Sequence, residues 1–224
     1  MSISEKAFLF DLNGTMIDDM HFHAKAWHQI LTEDLSANLT WDEVKVQMYG
    51  KNSEVLDRIF GKGHFTEEEA THISFEKEQR YQHEYFPHLQ LINGLDTFLR
   101  NAAENDISMA IGSAAIPFNI DFVLDNLQIR SYFKAIVSAD DVNKSKPDPE
   151  TFLKAAELLG VAPSECVVFE DAPKGVEAAE NAGMPCVVLT TMHPKEEFVA
   201  YHNILQFVAD YTDPFIRTFL PVSV

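Results

Sequence analysis

Five short apolar segments, separated by helical patterns, constrain the fold of this chain more than any other feature. Near-continuous apolar runs of this length are typical of parallel strands that are covered on both faces. Helical segments at 149–159 and 174–181 are each followed by a glycine, which favours helix termination. The alternation therefore predicts an α/β fold with a doubly wound, Rossmann-like parallel sheet. The predicted strands are Ala7 to Phe10, Met109 to Ile111, Ala135 to Ser138, Cys166 to Phe169 and Cys186 to Leu189.

The segment from residue 16 to residue 90 interrupts this alternation. It is rich in Glu, His, Lys and aromatic residues, has helical periodicity and lacks a convincing strand pattern. We therefore predict two domains. Residues 1–15 and 91–224 form the α/β core, and residues 16–90 form a small helical domain inserted after the first strand.

The charge of the chain limits its partners. Its formal net charge is -18 and its pI is about 4.7. Such a chain repels nucleic acid and anionic membranes, so we expect neither as a partner. An anionic substrate is also repelled at long range. A phosphate site would therefore need its own positive charge, from a metal ion or from a few placed lysines.

The expected location is the cytoplasm. No apolar run approaches the roughly 20 residues that span a bilayer. Residues 1–6 show no signal-peptide pattern. Cys166 and Cys186 lie in apolar strand-like runs, and we predict buried free thiols there.

The first predicted strand ends in a carboxylate. Asp11 follows Phe8 to Phe10 and precedes Leu12, Asn13, Gly14 and Thr15. Ligands of open α/β sheets bind at the carboxyl ends of the strands, where Asp11 would lie. Its carboxylate could be a nucleophile, a metal ligand or both, and the alternative is that it caps the following turn.

Three later segments place further polar residues near strand ends. Ser113 and Ala114 follow Gly112 and offer a hydroxyl and backbone N–H groups that suit a phosphoryl oxygen, although for this motif taken alone a simple turn is the better interpretation of Ser113. Lys146 lies in a proline-rich loop and could screen phosphate charge. Glu170 and Asp171 end another strand and suit a hard divalent cation, Mg²⁺ above all, although Asp171 could instead cap a helix.

These segments, taken in order, resemble the four motifs of the haloacid dehalogenase (HAD) superfamily. Asp11 matches the first motif, Ser113 the second, Lys146 the third, and Glu170 with Asp171 the fourth. The helical insertion resembles the cap of the β-phosphoglucomutase-like branch. Within that branch the chain is most similar to a HAD-type inorganic pyrophosphatase.

The resemblance implies a reaction in which Asp11 attacks phosphorus and forms an aspartyl-phosphate. It implies Mg²⁺ held by Asp11, Asp171 and the backbone carbonyl of Asn13, with Glu170 contributing through water. It also implies that Ser113, Ala114 and Lys146 hold the remaining phosphoryl oxygens.

Asn13 departs from the family pattern. The resemblance implies an aspartate here that protonates the leaving group and then activates water. An amide cannot exchange protons near neutral pH. Our hypothesis is that Asn13 is an inactivating Asp→Asn substitution made to trap a complex. A natural variant with different chemistry is the alternative.

Substrate choice is expected to depend on the insertion. Gln47 and Lys51 occupy the position of the family's specificity loop, and we predict both as substrate contacts, although a surface role for Gln47 is an equal alternative. Residues 46–54 contain no arginine, which disfavours a phosphosugar mutase. For His21, His23 and His28, packing or solvent exposure is the simpler expectation, and Lys77 is a weaker candidate contact.

The predicted function is a Mg²⁺-dependent phosphohydrolase, with pyrophosphate as the preferred substrate and a monomer as the expected state. Two alternatives stay open. One is a phosphosugar mutase or sugar-phosphate phosphatase. The other is a regulatory phosphate-binding module that has lost catalysis through Asn13.

Overall fold

A computed structural model describes residues 7–220 of the chain. They form two compact units, one from residues 7–18 and 90–220 and the other from residues 19–89. The helices are α1 (Met20–Gln29), α2 (Trp41–Gln47), α3 (Asn52–Phe60), α4 (Glu67–Tyr85), α5 (Leu95–Glu104), α6 (Pro117–Asn126), α7 (Glu150–Leu159) and α8 (Pro173–Asn181). Helices α1 to α4 lie in the second unit, and α5 to α8 lie in the first.

One parallel sheet of six strands forms the centre of the first unit, in the order β3-β2-β1-β4-β5-β6. This confirms the predicted fold class, because the sheet is parallel and its strands alternate with helices. The strands are β1 (Ala7–Phe10), β2 (Ser108–Gly112), β3 (Ala135–Val137), β4 (Cys166–Glu170), β5 (Cys186–Leu189) and β6 (Ile204–Val208).

The strand order creates a crevice beside β1. The chain moves outward from β1 to β2 and β3, then returns to the other side of β1 through β4. Phe10, the last residue of β1, pairs with Ile111 on one side and with Phe169 on the other. The carboxyl ends of these three strands therefore share one edge of the sheet. Such a reversal of strand order is where open α/β sheets bind ligands.

Packing of aromatic side chains holds the carboxyl ends of β1 and β4 in place. Phe10 stacks on Phe169 with ring centroids 4.8 Å apart, and Phe98 of α5 lies 5.4 Å from Phe169. Tyr211 stacks on Phe98 at 5.7 Å. These rings are buried and close-packed, so the backbone positions from which the residues after β1 and β4 extend are rigid. Cys166 and Cys186 are buried free thiols, as predicted.

Two details of the predicted strands were wrong or missing. The third strand ends at Val137, because the Ser138 hydroxyl accepts a hydrogen bond from the Asp140 backbone N–H and begins a short 3-10 turn. The sixth strand was not predicted. It is an edge strand in which Leu205 and Gln206 are exposed, so it lacks the continuous apolar run of the inner strands.

The second unit has its own apolar core. Four helices, together with a π-helical turn at Ile30–Asp34 that continues α1, account for the named elements of residues 19–85. Thr40 and Thr66 begin α2 and α4 with capping boxes, in which each hydroxyl accepts from a backbone N–H three residues later. The core residues of this unit are Trp27, Ile30, Leu31, Val44, Val55 and Leu56.

Candidate active site

Asp11 and Glu170 are neighbours at the ends of adjacent strands. Asp11 follows β1 directly, and its backbone N–H donates to the Phe169 carbonyl at 3.0 Å. Glu170 is the last residue of β4, and Asp171 comes next. All three carboxylates are at least nine-tenths buried. The parallel register thus concentrates three acidic side chains at one point of the sheet edge.

Lys146 lies between two of these carboxylates. Its Nζ donates to Asp11 Oδ1 at 2.6 Å and to Glu170 Oε1 at 2.8 Å. The lysine is 8% exposed, and its Nζ lies 4.5 Å from the centroid of the Phe152 ring. Burial alone would lower the pKa of Lys146, but the two carboxylates raise it above its ordinary value. Lys146 therefore keeps its positive charge beside Asp11.

One lysine does not balance three carboxylates. Burial raises the pKa of Asp171 well above its ordinary value, and the nearby charges of Glu170 and Asp11 raise it further. Oxygen atoms of Asp11, Glu170 and Asp171 all lie within 4.8 Å of one another. A cluster of carboxylate oxygens with excess negative charge is the donor set that a hard divalent cation prefers. These residues therefore fit Mg²⁺.

The helix after β4 fixes Glu170. Glu170 Oε2 accepts from the backbone N–H groups of Asp171 at 2.8 Å and Ala172 at 2.9 Å, just before α8. Gly175 in α8 leaves room for this carboxylate, since a Cβ there would lie 1.6 Å from Glu170 Oε1. Any larger residue would displace Glu170, so the glycine is part of how the site is built.

Three side-chain hydrogen bonds hold the turn after Asp11 in place. Gly14 has φ +76°, and a Cβ there would lie 2.1 Å from Asp171 Oδ2. Thr15 donates through its hydroxyl to Asp171 Oδ1 at 3.2 Å. Thr191 donates to the Gly14 carbonyl at 2.6 Å, and Tyr211 donates to the Thr15 carbonyl at 3.0 Å. Thr191 and Tyr211 lie far along the chain from this turn, and no local sequence pattern predicts their contacts with it.

Asn13 lies in this turn and forms an isolated parallel bridge with Ile17. The Gly14 N–H donates to the Ile17 carbonyl at 2.8 Å, which closes the turn around Asn13. The position two residues after Asp11 is therefore held in a fixed backbone conformation, while the side chain is an amide.

Ser113 and Ala114 follow β2 at the same edge of the sheet. Ser113 is buried, and its N–H donates to the Val137 carbonyl at 2.9 Å. The Ser113 Oγ accepts from the Ala115 N–H at 3.1 Å. This is the turn hydrogen bond that sequence analysis weighed against a phosphate contact, and the hydroxyl retains its own proton as a donor.

Gln47 and Lys51 lie in the second unit. Gln47 is the last residue of α2, and its carbonyl accepts a hydrogen bond from Arg58. The Lys51 N–H donates to Glu54 Oε2 at 2.9 Å at the start of α3. The structure brings together Asp11, Lys146, Glu170 and Asp171. Gln47 and Lys51 lie at the two ends of the loop between α2 and α3.

A buried polar cluster in the second unit was only partly anticipated. Lys77 Nζ lies 2.6 Å from His23 Nδ1 and 3.0 Å from Glu78 Oε1. Tyr81 stacks on His23 at 3.7 Å and donates to Asp19 Oδ2 at 2.5 Å. All five residues are buried. The spacing of four residues between Asp19 and His23, and between Lys77 and Tyr81, is the signal that places each pair on one helix face.

Comparisons with known proteins agree with this geometry. The family model described as haloacid dehalogenase-like hydrolase matches residues 8–189, which include Asp11, Lys146 and the Glu170–Asp171 pair. The chain belongs to this family. It is 32% identical to the β-phosphoglucomutase of Bacillus subtilis over 80% of each chain. It is 29% identical to the fructose-1-phosphate phosphatase of Escherichia coli, over 80% of this chain and 93% of the relative.

A solved structure extends the likeness to nearly the whole chain. A HAD hydrolase of family IA, variant 3, from Entamoeba histolytica superposes with a TM-score of 0.85 at 26% identity, covering 96% of this chain and 97% of the other. The chain is thus a HAD-family protein, and its relatives include a sugar-phosphate phosphatase and a β-phosphoglucomutase. Among the described residues, no helix is both long and apolar enough to cross a membrane.

Proposed function

We propose that this protein is a Mg²⁺-dependent phosphohydrolase that forms an aspartyl-phosphate on Asp11. The observation that carries the proposal is the buried contact of Lys146 with Asp11 and Glu170. A lysine that bridges two carboxylates at the end of β1 orients Asp11 and supplies fixed positive charge where an anionic phosphoryl group would arrive. Electrostatic stabilisation of that kind is the main catalytic device in phosphoryl transfer.

In the first step, an oxygen of Asp11 bonds to phosphorus in line with the leaving oxygen, and the bond from phosphorus to that oxygen breaks. Lys146 offsets the negative charge of the phosphoryl oxygens. Ser113 contributes its hydroxyl and Ala114 its backbone N–H to the same oxygens. In the second step, water attacks phosphorus, the Asp11 carboxylate is released and inorganic phosphate leaves.

Asp11, Asp171 and the Asn13 carbonyl would hold Mg²⁺, with Glu170 beside them. When bound, the ion supplies Lewis-acid charge that neutralises the phosphoryl oxygens. It would also relieve the mutual repulsion of the three carboxylates, which Lys146 alone does not balance.

Asn13 sets the expected limit on turnover. A phosphate ester needs a proton on its leaving oxygen, and the phosphoenzyme needs a base to activate water. The Asn13 amide provides neither function. An activated leaving group such as inorganic phosphate needs little protonation, so the first step should survive while hydrolysis of the phosphoenzyme stalls.

The substrate class that we favour is a small phosphorylated sugar or polyol. Two relatives carry the names fructose-1-phosphate phosphatase and β-phosphoglucomutase. Inorganic pyrophosphate, the substrate predicted from the sequence, stays a second candidate because its phosphate leaving group needs little protonation. The absence of arginine from residues 46–54 continues to disfavour the mutase.

A substrate panel tests the proposal. We would measure phosphate release from fructose 1-phosphate, other hexose phosphates, pyrophosphate and nucleotides, with and without Mg²⁺, for this chain and for Asn13→Asp. Metal-dependent release by Asn13→Asp that is highest on a sugar phosphate supports the proposal, and release that is highest on pyrophosphate selects the second candidate. Isomerised sugar phosphate without net release would indicate a mutase. No release by either form would indicate a phosphate-binding module.

A further inference from the structure

The loop that carries Lys146 is fastened by a residue outside the catalytic motifs. Between the 3-10 turn Ala139–Asp141 and the start of α7 at Glu150, the chain has no helix or strand. Lys146 lies in the middle of this loop, with its side chain buried against Asp11 and Glu170. The position of its ammonium group therefore depends on the contacts that hold the loop backbone.

Glu150 joins the two ends of the loop. Its carboxylate accepts from the Asn143 N–H at 3.1 Å through each oxygen, from Asn143 Nδ2 at 3.0 Å and from the Lys144 N–H at 3.0 Å. The side chain thus closes a loop of the chain from residue 143 to residue 150, and Lys146 is one of the residues of that loop. Closing a loop in this way removes backbone freedom that would otherwise let Lys146 move.

The contact is strongest with an ionised acceptor. The backbone N–H groups of Asn143 and Lys144 lower the pKa of Glu150 below its ordinary value, so the carboxylate is charged throughout the neutral range. A carboxylate that accepts several N–H groups makes charge-assisted hydrogen bonds, which are stronger than neutral ones. At the first position of α7, the negative charge is also favoured by the helix dipole.

We propose that Glu150 is a positioning residue for Lys146: it holds the loop 143–149 in the conformation that presents the ammonium group to Asp11 and Glu170. The expected effect of Glu150 on catalysis rests on the proposed function, whereas its effect on the position of Lys146 does not. The hydrogen bonds of the Glu150 carboxylate go to Asn143 and Lys144, so its influence on the site passes through the loop.

The first test measures Lys146 itself and needs no activity. Reductive methylation, followed by mass analysis of peptides, reports how readily each lysine reacts. In the unchanged protein, buried Lys146 should react far more slowly than exposed Lys62 of the second unit, which serves as an internal standard. We expect Glu150→Ala to raise the reactivity of Lys146 relative to Lys62 at least fivefold, and Glu150→Gln to raise it less, because its amide oxygen still accepts. Glu157→Ala, an exposed position on the same helix, should leave the ratio unchanged.

The second test measures phosphate release in the Asn13→Asp background. Glu150→Ala should lower kcat/KM about tenfold, Glu157→Ala should not, and the Glu150 effect should disappear when Lys146→Met is also present. Unchanged Lys146 reactivity in both Glu150 variants, or a Glu150 effect that persists in full alongside Lys146→Met, would overturn the inference. If no form of the protein releases phosphate, the proposed function fails, and the methylation ratio still decides the role of Glu150.

Discussion

At the scale of single residues, the site combines a complete set of charged groups with one amide where an acid is expected. Asp11, Lys146, Glu170 and Asp171 are buried and in place. Asn13 occupies a turn closed by the hydrogen bond from Gly14 to Ile17. The backbone of this turn would also accommodate an aspartate, so under the proposed function we expect Asn13 to affect proton transfer alone.

Asn13→Asp should raise turnover by roughly 10²–10⁴-fold, the usual contribution of general acid–base catalysis. The measurement is kcat for phosphate release from a sugar phosphate in the presence of Mg²⁺. Asn13→Ser, which also lacks an ionisable group, is the matched control and should give no gain. Equal rates for the unchanged chain and for Asn13→Asp would mean that another group supplies the proton.

Tyr81→Phe tests the buried polar cluster of the second unit. It removes the hydroxyl that donates to Asp19 Oδ2 and leaves the buried carboxylate with one donor fewer. A hydrogen bond to a charged group is worth about 1.5–3 kcal/mol, so the free energy of unfolding should fall by that amount in urea. Tyr132→Phe, at a half-buried position, should change it by less than about 0.5 kcal/mol. An equal effect of both substitutions would contradict the assigned contact.

At the scale of elements, the site depends on the residues that come directly after each strand. Helix α8 and the residues before it place two backbone N–H groups and a glycine against Glu170, and the turn after β1 places Gly14 against Asp171. These close approaches leave no space for a side chain. The glycines therefore determine where the carboxylates can lie.

Gly175→Ala should lower kcat/KM at least tenfold, because its Cβ would occupy the position of Glu170 Oε1 and force the carboxylate away from Lys146. Alanine within a helix normally stabilises by about 1 kcal/mol relative to glycine, so a loss of stability here would itself mark the clash. Lys174→Ala, at an exposed position of the same helix, is the control and should leave kcat/KM unchanged. Unchanged activity in Gly175→Ala would show that Glu170 tolerates another position.

The sequence was most informative where local pattern decides structure. Five buried strands were predicted because continuous apolar runs are characteristic of parallel strands, while edge strand β6 was missed because part of it faces solvent. Lys146 and Asp11 are 135 residues apart, and their placement in one site was predicted from the family resemblance and not from their spacing in the sequence. Neither route could predict Glu150, Thr191 or Tyr211, whose roles arise from loop contacts that no local pattern encodes.

At the scale of the whole molecule, the net charge of -18 opposes every anionic substrate. Positive charge at the site is local, whereas the repulsion is long-range and is screened by salt. We therefore expect kcat/KM to rise a few-fold as ionic strength increases from about 0.01 to 0.15 M at fixed Mg²⁺. The value of kcat under saturating substrate should stay constant. A fall in kcat/KM over this range would indicate that a positive surface guides the substrate.

The phosphoenzyme provides the most direct measurement of the proposed chemistry. This chain would be incubated with Mg²⁺ and acetyl phosphate, whose acetate leaving group needs no proton, then quenched in acid and digested for peptide mass analysis. We predict one phosphoryl group on Asp11 that persists in the Asn13 protein, is short-lived in Asn13→Asp and is absent from Asp11→Asn. Phosphate release without any phosphoryl group on Asp11, or with equal release by Asp11→Asn, would contradict Asp11 as the nucleophile.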